Sequence, residues 1–372
     1  MAIQVQNSQS ATQAYSMPSR CIYCVAPLLF LLLSCSTVRL PSDVTTSGDT
    51  ITTPVRYSIV FVIHGDGKYR YHDTVGGSHQ ADEMALDSAH EIAAQNPQAE
   101  AFIFHERRRP GFLRRLITRR DGAFYYYRQG KLLAAESYRR YRKSERFDAA
   151  VNLYNQFRAP SELDQTRLFF YFGHEIPEFG GAGYDASHPR ETFTVDDLAG
   201  GVEQWSRGAG RFDILVLATC YGGTPHTIAG LSPYARYIVA SPENLHLSYF
   251  DLQPFKQLHL HLTRDSAHAF AEQFARHAFL RLTTEVQTAV TVALYDVDRV
   301  ASYVTAVDSM YQRVISHREE PAPLLRLPID CAEEPLFTRP DMHEGVTLFY
   351  RPPQFGRARS KRDHSGWECP AL

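Results

Sequence analysis

Five short runs with hardly a polar interruption set the limits on this fold: YSIVFVIHG (57–65), AEAFIFHE (99–106), TRLFFYFGH (166–174), FDILVLATC (212–220) and ARYIVASPE (235–243). A strand exposed on one face alternates apolar and polar residues, whereas one covered on both faces does not, and that is the habit of parallel sheets flanked by helices. Between the runs lie helical patterns. QADEMALDSAHEIAAQ has acids in its first turn, 145–157 reads as a second helix, TVDDLAGGVEQW opens on Thr194 with two acids behind it, and 224–231 reads as a short helical segment. AFYYYRQGKLLAAESY reads as a hairpin turning at Gln129-Gly130, and an amphipathic helix, the strand AVTVALYD and a long helix follow further on. The expected fold is α/β, a three-layer sandwich around a mostly parallel sheet, occupying 55–318. The proline- and aromatic-rich stretch 319–372 reads as an irregular extension packed on that domain.

In open α/β sheets chemistry gathers at the carboxyl ends of the strands. Two runs end there in groups fit for covalent catalysis, TRLFFYFGH at His174 and FDILVLATC at Cys220, with one helix between them. If consecutive strands are neighbours, both side chains emerge at one sheet edge. A thiolate there is a nucleophile, and an imidazole beside it can hold or deliver the proton. Gly222 and Gly223 leave room for a substrate carbonyl, and the Cys220 N–H can donate to an oxyanion. A small buried cysteine needs none of this, so the pattern alone leaves a core role for Cys220 open. His64 and Asp66, at the end of the first run, are candidates to enter the same cleft.

Composition excludes several classes. The net charge of −2 offers no footprint for nucleic acid. HGDG and GGAG lack the full spacing of a phosphate loop or a dinucleotide fingerprint, and His72, His79 and His105 show no metal-ligand spacing, so neither a cofactor nor a metal is expected.

At the N-terminus, Val25 to Leu33 is apolar but too short to span a bilayer permanently, and it suits a signal h-region. Its end, Leu-Leu-Ser-Cys, resembles the lipobox of bacterial lipoproteins, which implies cleavage after residue 34 and lipidation of Cys35. The polar stretch 35–54 then reads as a tether, anchoring the protein to a membrane of the cell envelope. In that oxidising setting Cys331 and Cys369 can pair, leaving Cys220 single.

The stretch from RLFFYFGHE through FTVDDLAGGVEQW and FDILVLATCYGG to ARYIVASPE resembles the clostripain-like cysteine peptidases of the caspase-hemoglobinase fold. In that family a strand ends in His-Gly, a helix follows, a second strand ends in Asp-Ala-Cys, and a third closes near Ser-Pro-Glu. The resemblance implies an endopeptidase acting on peptides or proteins, with Cys220 as nucleophile, His174 protonating the leaving group, and the N–H groups of Glu175 and Cys220 as oxyanion donors. Two positions depart from the family. Glu175 replaces the glycine after histidine, and Ala218 replaces the aspartate that selects a basic side chain, for which Asp185 is the nearest substitute. Self-cleavage, which the family implies, has an accessible place in the basic stretch from Arg107 to Arg120. These departures support a different reading, a catalytically inactive relative that binds peptides or envelope proteins. A third reading is an α/β-hydrolase with a cysteine nucleophile, whose histidine would be His343 or His364.

Overall fold

The computed structural model describes residues 55–66, 70–72, 77–107, 121–139, 147–159, 165–178, 192–245, 251–316 and 328–370. The signal segment, Cys35, the tether, Asp185 and nearly all of the basic stretch lie outside them. In chain order the elements are β1 (Tyr57–His64), β2 (Arg70–His72), β3 (Ser78–Gln80), α1 (Ala81–Gln95), β4 (Ala99–Glu106), β5 (Gly122–Arg128), β6 (Lys131–Tyr138), α2 (Asp148–Phe157), β7 (Thr166–Phe172), α3 (Val195–Ser206), β8 (Phe212–Ala218), α4 (Pro225–Leu231), β9 (Ala235–Ala240) and α5 (Leu258–His261). They continue with α6 (Ala267–Glu285), β10 (Val290–Asp296), α7 (Val297–Ser316), β11 (Ile329–Asp330), β12 (Val346–Arg351) and β13 (Glu368–Cys369).

All five apolar runs form strands, and they make the centre of a nine-stranded sheet of order β12-β10-β9-β8-β7-β1-β4-β5-β6. The block β4, β1, β7, β8, β9 is parallel throughout. Antiparallel β5 and β6 extend one edge, and β10 and β12 the other.

Successive side chains of each central strand feed opposite layers. Val60, Phe102, Phe169 and Leu215 point into a cluster with Tyr154 of α2, Trp205 of α3, Ile228 of α4 and Val304 of α7. Ile59, Phe61, Phe170 and Val216 join Ile92 of α1 and Phe274 of α6 on the other face. Each large side chain moved out of water contributes about 1.5–3 kcal/mol, so two full apolar faces dominate the stability. Trp205 anchors the first layer, with its ring centroid 5.4 Å from that of Phe169 and 4.9 Å from that of Phe147. Helix α3 starts where its sequence says, because Thr194 and Asp197 form a reciprocal capping box. The hairpin turn also falls at Gln129-Gly130, where Gly130 has φ +75 and a Cβ would lie 2.6 Å from the Ala94 carbonyl oxygen.

The expectation of an irregular extension over 319–372 needs correction. Val346–Arg351 pairs antiparallel with β10 as an edge strand of the main sheet, although all its residues are only half-buried. Beyond it, β11 and β13 pair with each other, and Cys331 and Cys369 form a disulfide. Trp367 is buried between Tyr295 and Tyr303 and donates its indole N–H to the Met342 carbonyl at 2.7 Å.

The disulfide closes a loop with a sequence separation of 38, which lowers the entropy of the unfolded chain. Replacing both Cys331 and Cys369 by serine should cost about 2–4 kcal/mol of unfolding free energy. Urea denaturation of oxidised protein and of the double variant measures the difference, and coincident curves would refute it.

Candidate active site

Strands β7 and β8 are in parallel register from Leu168↔Ile214 to Phe172↔Ala218. His174 and Cys220 follow at the same step, two residues beyond that last pair, at the carboxyl edge of the sheet. The Gly173 N–H reaches the Ala218 carbonyl at 3.4 Å, which carries the strand contact into the segment with His174. Cys220 packs against the layer formed with α1 and α6.

The turn after Cys220 is bent and firmly held. Tyr221 has φ +51, an uncommon left-handed conformation for a bulky residue that costs of order 1–3 kcal/mol. Its N–H donates to the Glu243 carbonyl at 3.1 Å, Gly223 N–H donates to the Ser241 carbonyl at 3.2 Å, and Glu368 N–H donates to the Gly223 carbonyl at 3.2 Å. A Cβ on Gly223 would lie 2.2 Å from the Tyr295 hydroxyl and 2.8 Å from Pro242 Cα, and one on Gly222 would crowd Thr219 and Ala240. The protein's own packing therefore leaves no place for a side chain at Gly223 and little at Gly222. Because the Gly223 N–H is already used, it offers no oxyanion contact.

Glu178 joins the segments that carry His174 and Cys220. It follows His174 in the chain and accepts hydrogen bonds from the hydroxyls of Thr224, the N-cap of α4 beyond Cys220, and Tyr311 of α7. Burial raises the Glu178 carboxyl, and the two hydroxyl donors work against that rise.

The Cys220 thiol donates to Asn244 Oδ1 at 3.0 Å. Burial pushes its pKa up to about 11; a backbone contact at Leu245 pulls it down, and the Glu175 carboxylate adds to the rise. Burial raises Glu175 as well, with His174 acting in the opposite sense. The sulfur thus carries its proton at neutral pH.

His64 and Asp66 are buried at the same sheet edge. His64 Nδ1 lies 2.8 Å from Glu106 Oε2, across the matched pair His64↔Glu106, and a Cβ on Gly173 would come 3.3 Å from His64 Cβ. A second pair, His105 Nε2 with Asp82 Oδ2 at 2.8 Å, stands on the neighbouring strand. Of the two histidines either of which would serve the hydrolase reading, His343 is exposed and His364 is buried beside Glu368, with Nε2 to Oε1 at 3.5 Å. Asn244, Glu106 and Glu178 went unmarked in sequence. Only Asn244 had a signal, since it directly follows the Ser-Pro-Glu that closes the β9 run.

Residues 173–336 match the family model Peptidase_C11, the Clostripain family. The chain resembles the clostripain family. His174, Cys220 and Asn244 all fall within the matched span of this clostripain-like chain. No curated protein matches it. Among solved structures, an inactive zymogen C11 protease from Parabacteroides distasonis is 12% identical, with coverage of 85% of this chain and 92% of that one and a TM-score of 0.53, which shows the shared fold. A secreted C11 cysteine protease from Bacteroides thetaiotaomicron, iotapain, is 11% identical over 71% of each chain at a TM-score of 0.46. A secreted C11 cysteine protease from the same organism, in complex with an irreversible peptide inhibitor, is 12% identical over 71% of each chain at a TM-score of 0.45.

A thiol raised to about 11 should alkylate slowly near neutrality, its rate climbing roughly tenfold per pH unit up to pH 10. Glu175→Gln removes a charge that holds the proton on sulfur, so its profile should move to lower pH. Iodoacetamide rates against pH for both proteins measure this; a plateau below pH 8 in the parent chain contradicts it.

Proposed function

We propose that this clostripain-like chain is a cysteine endopeptidase with Cys220 as nucleophile and His174 as its acid-base partner. The observation that carries the reading is the common register of the two strand ends, Phe172↔Ala218, inside the span that matches the family. In the proposed reaction His174 takes the thiol proton as the sulfur bonds to the scissile carbonyl carbon. The carbonyl electrons move onto oxygen, facing the N–H groups of Glu175 and Cys220. When they return, the C–N bond breaks and the His174 imidazolium protonates the departing amine. Water then cleaves the thioester, releasing the acid and restoring the thiol.

Position 218, where the family carries its acid, is a buried alanine here, so nothing at that point favours an Arg or Lys side chain. The protonated resting thiol and the half-buried Glu175 also favour a second reading, an inactive relative that retains a peptide-binding cleft.

Digestion of a diverse peptide mixture by residues 36–372, read by mass spectrometry beside Cys220→Ala and His174→Ala, separates the two. Cleavage should vanish with Cys220→Ala and fall by about 10²–10⁴-fold with His174→Ala. Absence of cleavage by the folded parent, in oxidised and reduced buffer, rejects the peptidase and leaves the binder.

We propose further that the N-terminal segment exports the chain and that Cys35 receives lipid, a reading supported by the Leu-Leu-Ser-Cys sequence. Among the described residues no helix is long and apolar enough to cross a membrane. Full-length protein expressed in a bacterial host should fractionate with membranes, and Cys35→Ser should release it; unchanged fractionation counts against lipidation.

A further inference from the structure

Glu243, His364 and Glu368 each turn one potential ligand atom toward the others, all within 4.8 Å. They come from separate places, the segment after β9 for Glu243 and the C-terminal stretch around β13 for the other two, so no local spacing announces them. His364 is 6% and Glu368 3% exposed. His364 Nε2 and Glu368 Oε2 are both buried without a hydrogen-bond partner. Nε2 lies 3.5 Å from Glu368 Oε1, too far for a hydrogen bond. Buried polar atoms left unsatisfied are costly, and nearly all are satisfied by protein, water or an ion.

We propose that Glu243, His364 and Glu368 bind a divalent transition metal ion, with Zn²⁺ as the best fit. One imidazole nitrogen and two carboxylate oxygens suit zinc, whereas calcium takes six to eight oxygens. At zinc bond lengths of about 2.0–2.2 Å, neighbouring ligand atoms in a tetrahedral site stand about 3.4 Å apart, so side chains whose ligand atoms lie within 4.8 Å must draw together by at most about 1.4 Å. A solvent molecule would complete the coordination.

A metal-bound histidine needs an acceptor for its other ring nitrogen, and here that takes a change of partner. His364 Nδ1 accepts from the Gly366 N–H at 2.9 Å, which leaves the ring proton on Nε2. When Nε2 binds the ion, that proton is displaced and one is carried on Nδ1 instead, where Asp330 Oδ2 stands 4.0 Å away as its acceptor. The ring must therefore swing from Gly366 toward Asp330. Asp330 is itself held by Lys361 at 2.9 Å and by the Ser365 hydroxyl. On the other side Thr291 donates its hydroxyl to Glu243 Oε2, fixing that carboxylate. Burial, with Glu243 nearby, raises the Glu368 carboxyl to about 9.

The ion would sit between the two segments that hold the Cys220 turn. Glu243 takes the Tyr221 N–H with its carbonyl, and Glu368 gives its own N–H to Gly223. It would tie the C-terminal stretch to that turn without touching the thiol, so the proposal stands whether or not the chain is a peptidase.

The test uses oxidised residues 36–372, freed of metal with EDTA and dialysed. Zn²⁺ is followed by titration calorimetry and Co²⁺ by visible absorption. One ion per chain is expected, retained in Cys220→Ala and weakened at least about tenfold in both Glu368→Gln and Glu243→Gln. Circular dichroism checks that each variant is folded, and either folded glutamine variant suffices. No binding by the parent chain, unchanged affinity in a folded glutamine variant, or loss of the ion with Cys220→Ala overturns the proposal.

Discussion

The parallel pairing of β7 with β8 is the constraint on which the rest of the molecule depends. Because side chains alternate between faces, a slip of one residue would move Phe169 and Phe170 into each other's layers and part His174 from Cys220. The register is fixed from both ends. At the amino end, Arg167 N–H donates to the Asp213 carboxylate at 3.0 Å, while its guanidinium lies 4.2 Å from the Phe212 ring centre. Along the strands, each apolar position has a dedicated partner in one of two helix layers. The pairing that buries the core is thus also the pairing that brings the imidazole and the thiol to one edge.

The same close packing has an electrostatic side. The Cys220 turn is held by the strand-end residues Ser241 and Glu243, by Glu368, and by Glu178 through Thr224. Packing around that turn leaves Cys220 half-buried, and partial loss of water disfavours charge on its sulfur. Shape and reactivity therefore pull in opposite directions here. The nearby groups do not relieve that opposition, since Asn244 presents an acceptor to the thiol and Glu175 adds negative charge.

The central architecture was legible because burial on both faces leaves a mark that needs no knowledge of partners: five uninterrupted apolar runs, each forming a strand. His174 and Cys220 were legible for a related reason, since their place at strand ends follows from where the runs stop. Strand β12 was not, because its residues are all half-buried and it sits among prolines that mask its pattern. Glycines 222 and 223 show the limit of reading a residue type alone. Sequence says that a side chain is missing, and only the fold says that Tyr295 and Pro242 stand against Gly223, and Thr219 and Ala240 against Gly222. Asn244, Glu106 and the trio Glu243, His364 and Glu368 acquire meaning through chain segments that return from far away.

One return path bears on truncation of the chain. The residues that complete the setting of the Cys220 turn, Gly366 with its carbonyl on the Tyr295 hydroxyl and Glu368 with its amide on Gly223, follow every strand of the main sheet in chain order. The turn therefore takes its last support from residues that the chain supplies only after every strand of the main sheet, and the bond between Cys331 and Cys369 ties those residues to a segment 38 positions earlier. A chain cut short after β12 would keep all the strands of the sheet and lose that support.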